Sequence, residues 1–94
     1  MQRLSALPLI FGADYETGIA FRQRGGYFLP NNIYLGGGTM FPPQMALGAT
    51  RDTSLAYQQG RVTAVEARAV GVHVAFAPVL DVNNNPANPV IGMR

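Results

Sequence analysis

Two short, nearly continuous apolar runs constrain the fold of this chain more than any other feature. Residues 7–13 read Leu-Pro-Leu-Ile-Phe-Gly-Ala, and residues 72–79 read Val-His-Val-Ala-Phe-Ala-Pro-Val. Apolar runs of this length, without polar alternation, are typical of strands that are buried on both faces, as in a parallel sheet. The sequence therefore predicts two buried strands, which need neighbours on both faces and both edges.

A helix is predicted between these runs, from Thr53 to Val70. Its apolar stripe, which follows the helical period and is expected to face the core, consists of Leu55, Val62, Val65, Ala69 and Val72. Asp52 or Thr53 can cap the first turn, and Gly71 can end the helix in the left-handed conformation. Gly60 costs about 1 kcal/mol relative to alanine, and we expect packing against a sheet to compensate. Strand, helix and strand in this order predict a parallel β-α-β unit with a right-handed crossover.

The intervening residues 17–49 show no such periodicity and are rich in glycine and proline. A stretch of this length without regular structure is uncommon unless it is a functional loop or a linker. Because aromatic side chains recur along it, we expect an ordered loop region rather than a linker. One short helix is predicted within it, near residues 18–23.

The composition excludes several classes of protein. Of the 94 residues, 48% are hydrophobic and only 13% are charged, which excludes a disordered chain, and the lack of cysteine excludes a disulfide scaffold. The seven basic residues are scattered arginines, whereas nucleic-acid binding needs clustered cations, so we expect no nucleic-acid partner. The length allows a single domain. So little charge in so short a chain indicates that apolar surface faces something outside it.

No membrane span, metal site or signal peptide is predicted. No run approaches the ~20 apolar residues of a membrane span. The N-terminus lacks the apolar stretch and cleavage site of a signal peptide, which weighs towards the cytoplasm, although the compartment stays open. His73 is the only histidine, and without cysteine it cannot supply a zinc site. Since it lies inside the second apolar run, we expect it to be a core or packing side chain.

Each predicted strand is followed by an acid, Asp14 after the first and Asp81 after the second. Ligands of parallel α/β folds bind beyond the carboxyl ends of the strands, so both carboxylates are expected on one face. The residues alone leave open whether Asp14 binds a ligand or only accepts hydrogen bonds from loop N–H groups. For Asp81, an Asx-turn that shapes the following loop is the favoured interpretation.

Several longer segments carry a resemblance to a known family. Residues 41–50 read Phe-Pro-Pro-Gln-Met-Ala-Leu-Gly-Ala-Thr, and residues 76–86 read Phe-Ala-Pro-Val-Leu-Asp-Val-Asn-Asn-Asn-Pro. Together with residues 13–18, 66–72 and the remainder up to Arg94, they extend over nearly the whole chain. The chain thereby resembles the N-terminal domain of glycoside hydrolase family 3, in the branch with bacterial β-N-acetylhexosaminidases and β-glucosidases.

The resemblance implies an α/β fold, namely part of a (β/α)8 barrel of the TIM type. Residues 1–94 would be a single, incomplete domain of about two to three β/α units at the N-terminal side of that barrel. The family hydrolyses β-linked sugars with retention, using a nucleophilic carboxylate and a separate acid/base. Both lie later in the family's sequence, so no catalytic residue is expected in this chain, and the 94-residue chain alone is expected to be inactive.

The resemblance also implies site residues and partners. Asp14, Arg22 and Arg94 match positions that bind the sugar. Glu16 and Asp81 are candidates for supporting these ligands from behind, and for Glu16 a solvated position is the alternative. The expected partners are a β-linked carbohydrate, such as a cell-wall sugar, and the remainder of the barrel. No cofactor or metal is implied.

Three functions are compatible with the sequence. The first is part of a β-N-acetylhexosaminidase that removes terminal β-linked N-acetylglucosamine. The second is a β-glucosidase of the same family. The third, from another class, is a small protein that binds carbohydrate or a partner without catalysis.

Overall fold

A computed structural model of the chain describes residues 1–23, 26–27, 33–34 and 37–94. The strands, each of two residues, are β1 (Gly12–Ala13), β2 (Gly26–Tyr27), β3 (Ile33–Tyr34) and β4 (Val74–Ala75). The α-helices are α1 (Gln44–Ala49) and α2 (Thr53–Ala69), and two 3-10 helices span Gln2–Leu4 and Ile19–Phe21. In the part of the chain so described, no helix is long and apolar enough to cross a bilayer.

The central pairing joins the two apolar runs. β1 and β4 are parallel, with Gly12 opposite Val74 and Ala13 opposite Ala75. The ladder is extended by two hydrogen bonds, from the His73 N–H to the Phe11 carbonyl at 2.8 Å and from the Phe76 N–H to the Ala13 carbonyl at 2.9 Å. The predicted parallel pair is therefore confirmed. β2 and β3 form a separate antiparallel pair.

The predicted burial of the two runs is wrong for this chain. Only two residues of each run form a strand, and large apolar side chains stay open to solvent, with Ile10 77% and Phe76 62% exposed. A parallel strand is buried only when neighbouring strands and helices on both faces cover it. The described residues provide one parallel pair and one long helix, that is, a single β-α-β arrangement. A barrel segment of two to three units therefore remains a prediction.

The core of the described residues is small and lies where the segment after β1 meets α2. It consists of Tyr15, Ile19, Ala67 and Val72, with Ala13 packed against it. Tyr15 is 1% exposed, and its hydroxyl accepts a hydrogen bond from Gln23 Nε2 at 3.2 Å. A large aromatic side chain that is fully buried, with its hydroxyl hydrogen-bonded, is among the side chains that stabilise so small a core most.

Helix α2 begins and ends as its local sequence predicts. The Asp52 carboxylate accepts a hydrogen bond from the Ser54 N–H at 2.8 Å. Hydrogen bonds with the Ser54 side chain first, and with this N–H second, hold the pKa of Asp52 below its ordinary value. At the other end, Gly71 has a φ of 83°, and the Val72 N–H reaches back to the Ala67 carbonyl at 2.9 Å. This left-handed termination turns the chain directly into β4.

The buried face of α2 differs from the predicted apolar stripe. Its buried residues are Thr63 and Ala67, whereas Leu55 and Val65 of the stripe are exposed. Val72, the last residue of the stripe, lies beyond the end of the helix and is buried as predicted. Small side chains let the segment after β1 approach the helix closely, and that contact decides which face is buried. The Leu55 and Val65 side chains face outward, where none of the described residues covers them.

The region 17–49 contains more regular structure than predicted. The short helix expected near residues 18–23 is present as the 3-10 helix Ile19–Phe21, so that prediction is confirmed. Helix α1 is not predicted from the sequence because Pro42 and Pro43 are typical of loops, although Pro43 occupies the position directly before its first residue. The ordered loop predicted for the rest falls in part outside the described residues.

Replacing the glycine inside α2 and the glycine at its end by alanine should change the free energy of unfolding in opposite directions. An added Cβ at Gly60 meets no atom within 4 Å, so the expected compensation by packing is not formed within the described residues. Gly60→Ala should raise the free energy of unfolding by about 1 kcal/mol because glycine is costly inside a helix. Gly71→Ala should lower it by about 1–2 kcal/mol because alanine is strained at positive φ.

Urea unfolding followed by far-ultraviolet circular dichroism measures both changes. Each variant serves as the control for the other, since both add one methyl group. A Gly60→Ala variant that destabilises the protein as much as Gly71→Ala would contradict a helix that runs through residue 60 and ends before residue 71.

Candidate ligand-binding site

The described residues contain two ion pairs, of which the first lies just after β1. Asp14 follows the strand directly, and Arg22 follows the 3-10 helix Ile19–Phe21. Arg22 Nη2 donates to Asp14 Oδ2 at 3.2 Å, and the guanidinium lies over the Phe21 ring, 4.3 Å from its centre. Both charged side chains are 52% exposed, so the pair contributes little to stability. Its polar atoms are accessible to a ligand.

The second ion pair joins residues that are far apart in the sequence. Arg94 Nε donates to Glu16 Oε2 at 3.0 Å and Arg94 Nη2 to Glu16 Oε1 at 3.3 Å, a two-point contact. Arg94 Nη1 donates to the Val90 carbonyl at 2.9 Å. The hydrogen bond to Glu16 raises the pKa of Arg94, and the charge of Asp81 acts in the same direction.

A cleft of about 250 Å³ opens beside this second pair. Glu16 and Arg94 are its charged residues, and the remainder of the lining is mostly apolar: Thr17, Phe21, Pro43, Gln44, Val90, Ile91 and Met93. Helix α1 is attached to the C-terminal side of the cleft, because the Met45 N–H donates to the Met93 carbonyl at 3.1 Å. A mostly apolar cleft with a few charged groups is the usual form of a small-molecule site.

The segment between the two acids and Arg22 is held by close backbone contacts. The Phe41 N–H donates to the Thr17 carbonyl at 2.8 Å, and the Ala20 N–H donates to the Thr39 carbonyl at 3.3 Å. Gly18 has a φ of 92°, and a Cβ there would lie 2.5 Å from the Thr39 carbonyl oxygen. Only glycine fits both that conformation and that approach. These contacts hold the segment that contains Phe21, which lines the cleft, and Arg22.

The structure therefore groups the five predicted site residues unequally. Asp14 is paired with Arg22, and Glu16 with Arg94, while Asp81 interacts with Arg94 through its charge. Both Glu16 carboxylate oxygens contact Arg94, and a role of Glu16 behind a sugar ligand stays a prediction. No local signal identifies this pair, because the partners are 78 positions apart.

In the loop after β4, the turns are stabilised by hydrogen bonds to asparagine side chains rather than to Asp81. The Asn85 side chain accepts from the Ala87 N–H at 3.1 Å, and the Asn88 side chain accepts from the Val90 N–H at 2.9 Å. These are the Asx-type bonds that were predicted for Asp81. They shape the chain that returns Arg94 towards Glu16.

His73 packs against Phe11 instead of entering the core. The two rings are stacked with their centres 6.3 Å apart, and His73 Nδ1 accepts a hydrogen bond from the Phe11 N–H at 3.3 Å. The side chain is exposed, so the packing role is confirmed and the core position is wrong. Within residues 1–23, 26–27, 33–34 and 37–94, His, Asp and Glu side chains form no group of three or more that could hold a metal ion.

Comparison with known proteins identifies one family. The sequence profile described as "Glycosyl hydrolase family 3 N terminal domain" matches residues 1–94. The chain is 40% identical over 97 residues to a beta-hexosaminidase of Thiobacillus denitrificans, which covers 97% of this chain and 24% of that protein. It is 34% identical over 96 residues to beta-hexosaminidase A of Pseudoalteromonas piscicida, which covers 99% of this chain and 14% of that protein.

A third relative carries a broader name. The chain is 30% identical over 94 residues to a "Beta-N-acetylglucosaminidase/beta-glucosidase" of Cellulomonas fimi, covering 100% of this chain and 14% of that protein. The chain thus spans about a quarter or less of the length of these curated relatives. No solved structure matches it.

Proposed function

Because the chain belongs to glycoside hydrolase family 3, we propose that it is an N-terminal part of the barrel domain of a retaining β-glycosidase. In this proposal it carries part of the sugar-binding site, and the nucleophile and the acid/base lie elsewhere in the protein. The family resemblance seen in the sequence is confirmed, since the profile covers the whole chain.

One observation carries the proposal, namely two carboxylate–arginine pairs that start at the carboxyl end of β1. Asp14 and Glu16 both follow this strand within four residues, and each is bonded to an arginine. In parallel α/β barrels this end of the strands is where substrates bind. A cleft with mostly apolar walls lies against the second pair.

The pairs have the hydrogen-bonding capacity that a sugar requires. A carboxylate accepts several hydrogen bonds, so Asp14 can receive two neighbouring hydroxyl groups while it stays paired with Arg22. Arg94 has five N–H donors and uses three on Glu16 and the Val90 carbonyl. Among the described residues this leaves two donors for hydroxyl oxygens, and Glu16 fixes the plane in which they point.

Terminal β-linked N-acetylglucosamine is the substrate we propose. Support comes from the names of the relatives in Thiobacillus denitrificans and Pseudoalteromonas piscicida, both of which are beta-hexosaminidases. A β-glucosidase is the second candidate, because the name of the Cellulomonas fimi relative includes both activities.

The large exposed apolar surface supports the proposed incompleteness. Leu80 and Val82 are 86% and 76% exposed although they continue the run that contains β4, and Phe76 is 62% exposed. Side chains of this kind are covered in a complete barrel by neighbouring strands and helices. The proposed partner for this surface is the remainder of the barrel. A small protein that binds carbohydrate without catalysis leaves this surface without a cover.

The 94-residue chain alone should not turn over a chromogenic β-N-acetylglucosaminide, because retaining hydrolysis needs two positioned groups that we place elsewhere in the protein. Release of the chromophore by the purified chain, above the rate in buffer, would contradict the proposal. The full-length protein is the positive control, and it should prefer the β-N-acetylglucosaminide over the matching β-glucoside.

Asp14→Ala in the full-length protein should lower kcat/KM by about 100-fold or more, since two hydroxyl bonds to a charged acceptor are lost. Asp52→Ser is the matched control, because it also removes one carboxylate but keeps a side chain that caps α2. The control should retain kcat/KM on the same substrate. A loss below about threefold in Asp14→Ala would remove Asp14 from the site.

A further inference from the structure

Glu66 belongs to neither of the two ion pairs, yet both of its carboxylate oxygens are hydrogen-bonded. Glu66 lies in α2 and is half-buried. Its Oε1 accepts from the Thr39 hydroxyl at 2.6 Å, and its Oε2 accepts from the Thr39 N–H at 2.9 Å. A carboxylate with two short bonds to one residue fixes both the position and the orientation of that residue.

Thr39 in turn contacts the segment before Arg22 through its carbonyl oxygen. Its carbonyl oxygen accepts from the Ala20 N–H at 3.3 Å and lies so close to Gly18 that no side chain fits there. Two residues further on, the Phe41 N–H donates to the Thr17 carbonyl at 2.8 Å. Residues 39–41 therefore form a strap across residues 17–20, and Glu66 is its anchor on α2.

The strap also holds the side chains beneath it. Gly38, just before Thr39, is buried directly against Ile19, where an added Cβ would collide with the Ile19 side chain. Ile19 is 4% exposed and starts the 3-10 turn that ends at Phe21. Phe21 lines the cleft and lies under the Arg22 guanidinium. The turn that places these two residues is thus pressed between the strap and the core.

We propose that Glu66 is a positioning residue of the sugar-binding site. Through Thr39 it fixes the strap, and the strap fixes the turn that aims Arg22 at Asp14 and Phe21 at the cleft. The sugar as ligand rests on the proposed function, whereas the strap rests only on the hydrogen bonds and close approaches of Thr39. Residues 19–21 form a single 3-10 turn, which is too short to hold its own position, so an external anchor is required.

Substitutions at both ends of the Glu66–Thr39 contact test this role in the full-length protein. Glu66→Ala removes both bonds. Glu66→Gln keeps the shape, and its amide can accept from the Thr39 N–H and donate to the Thr39 hydroxyl oxygen. Thr39→Val removes only the hydroxyl bond, and Thr39→Ser retains both. Arg61→Ala, an exposed position on the same helix, is the control.

The kinetic readout is the separation of KM from kcat on a chromogenic β-N-acetylglucosaminide. Glu66→Ala should raise KM about tenfold or more with kcat within about threefold, because substrate binding is lost while the reacting groups stay in place. Glu66→Gln and Thr39→Ser should have KM values close to that of the parent protein. A KM unchanged in Glu66→Ala, or raised equally in Glu66→Gln, would overturn the proposal.

Amide hydrogen exchange tests the strap independently of activity. In Glu66→Ala the Ala20 and Phe41 amides should exchange about tenfold faster or more, while the Val62 amide in α2 keeps its rate. If Glu66→Ala does not fold, Thr39→Val should accelerate exchange at Ala20 by a smaller factor, because one of the two bonds remains. An unchanged rate there overturns the proposal. If the full-length protein has no glycosidase activity but its Glu66→Ala variant still exchanges these amides faster, the proposed function is contradicted and the strap is supported.

Discussion

The parallel pairing of β1 with β4 is the contact on which the rest of the structure depends. Two paired positions, Gly12 opposite Val74 and Ala13 opposite Ala75, bring the segments before and after helix α2 side by side. Since the strands are parallel, the residues that follow them leave at the same end. The Glu16–Arg94 pair joins the segment after β1 to the segment that returns after β4, and the cleft lies beside this pair.

Near this pairing, a small buried cluster lies beside more exposed charged side chains. Buried residues such as Tyr15 and Ile19 anchor the segment after β1 to α2. Of the charged side chains, Asp14 and Arg22 are about half exposed, whereas Glu16 is only 20% exposed. An exposed ion pair adds little to stability. Aromatic and aliphatic side chains therefore hold the segment after β1 in place, and in the proposed function the charged groups bind the ligand.

Features of the fold that depend on residues close together in the sequence could be predicted, and those that depend on distant residues could not. The start of α2 at Asp52 and its end at Gly71 were predictable, because a cap and a left-handed glycine act within a few residues. The family was also predictable, since its motifs are contiguous segments. The buried face of α2 was not, because apolar period alone favours Leu55, whereas the tertiary contact selects Ala67.

The candidate site was predictable only in part for the same reason. Asp14 follows an apolar run, so its location at a strand end could be predicted, and the resemblance supplied Arg22 and Arg94. The partner of Arg94 could not be predicted, because Glu16 is 78 positions away and no pattern in the sequence links the two. The strap of residues 39–41 was hidden in the same way, since its anchor lies 27 positions further along the chain.

In the proposed function, the polar groups after β1 and at the return of the chain hold a sugar. A crystal structure of the full-length protein with bound N-acetylglucosamine measures this most directly. We expect sugar hydroxyl oxygens about 2.5–3.2 Å from an Asp14 carboxylate oxygen and from an Arg94 guanidinium nitrogen. A sugar bound with both side chains beyond hydrogen-bond distance would contradict a sugar-binding role for these residues.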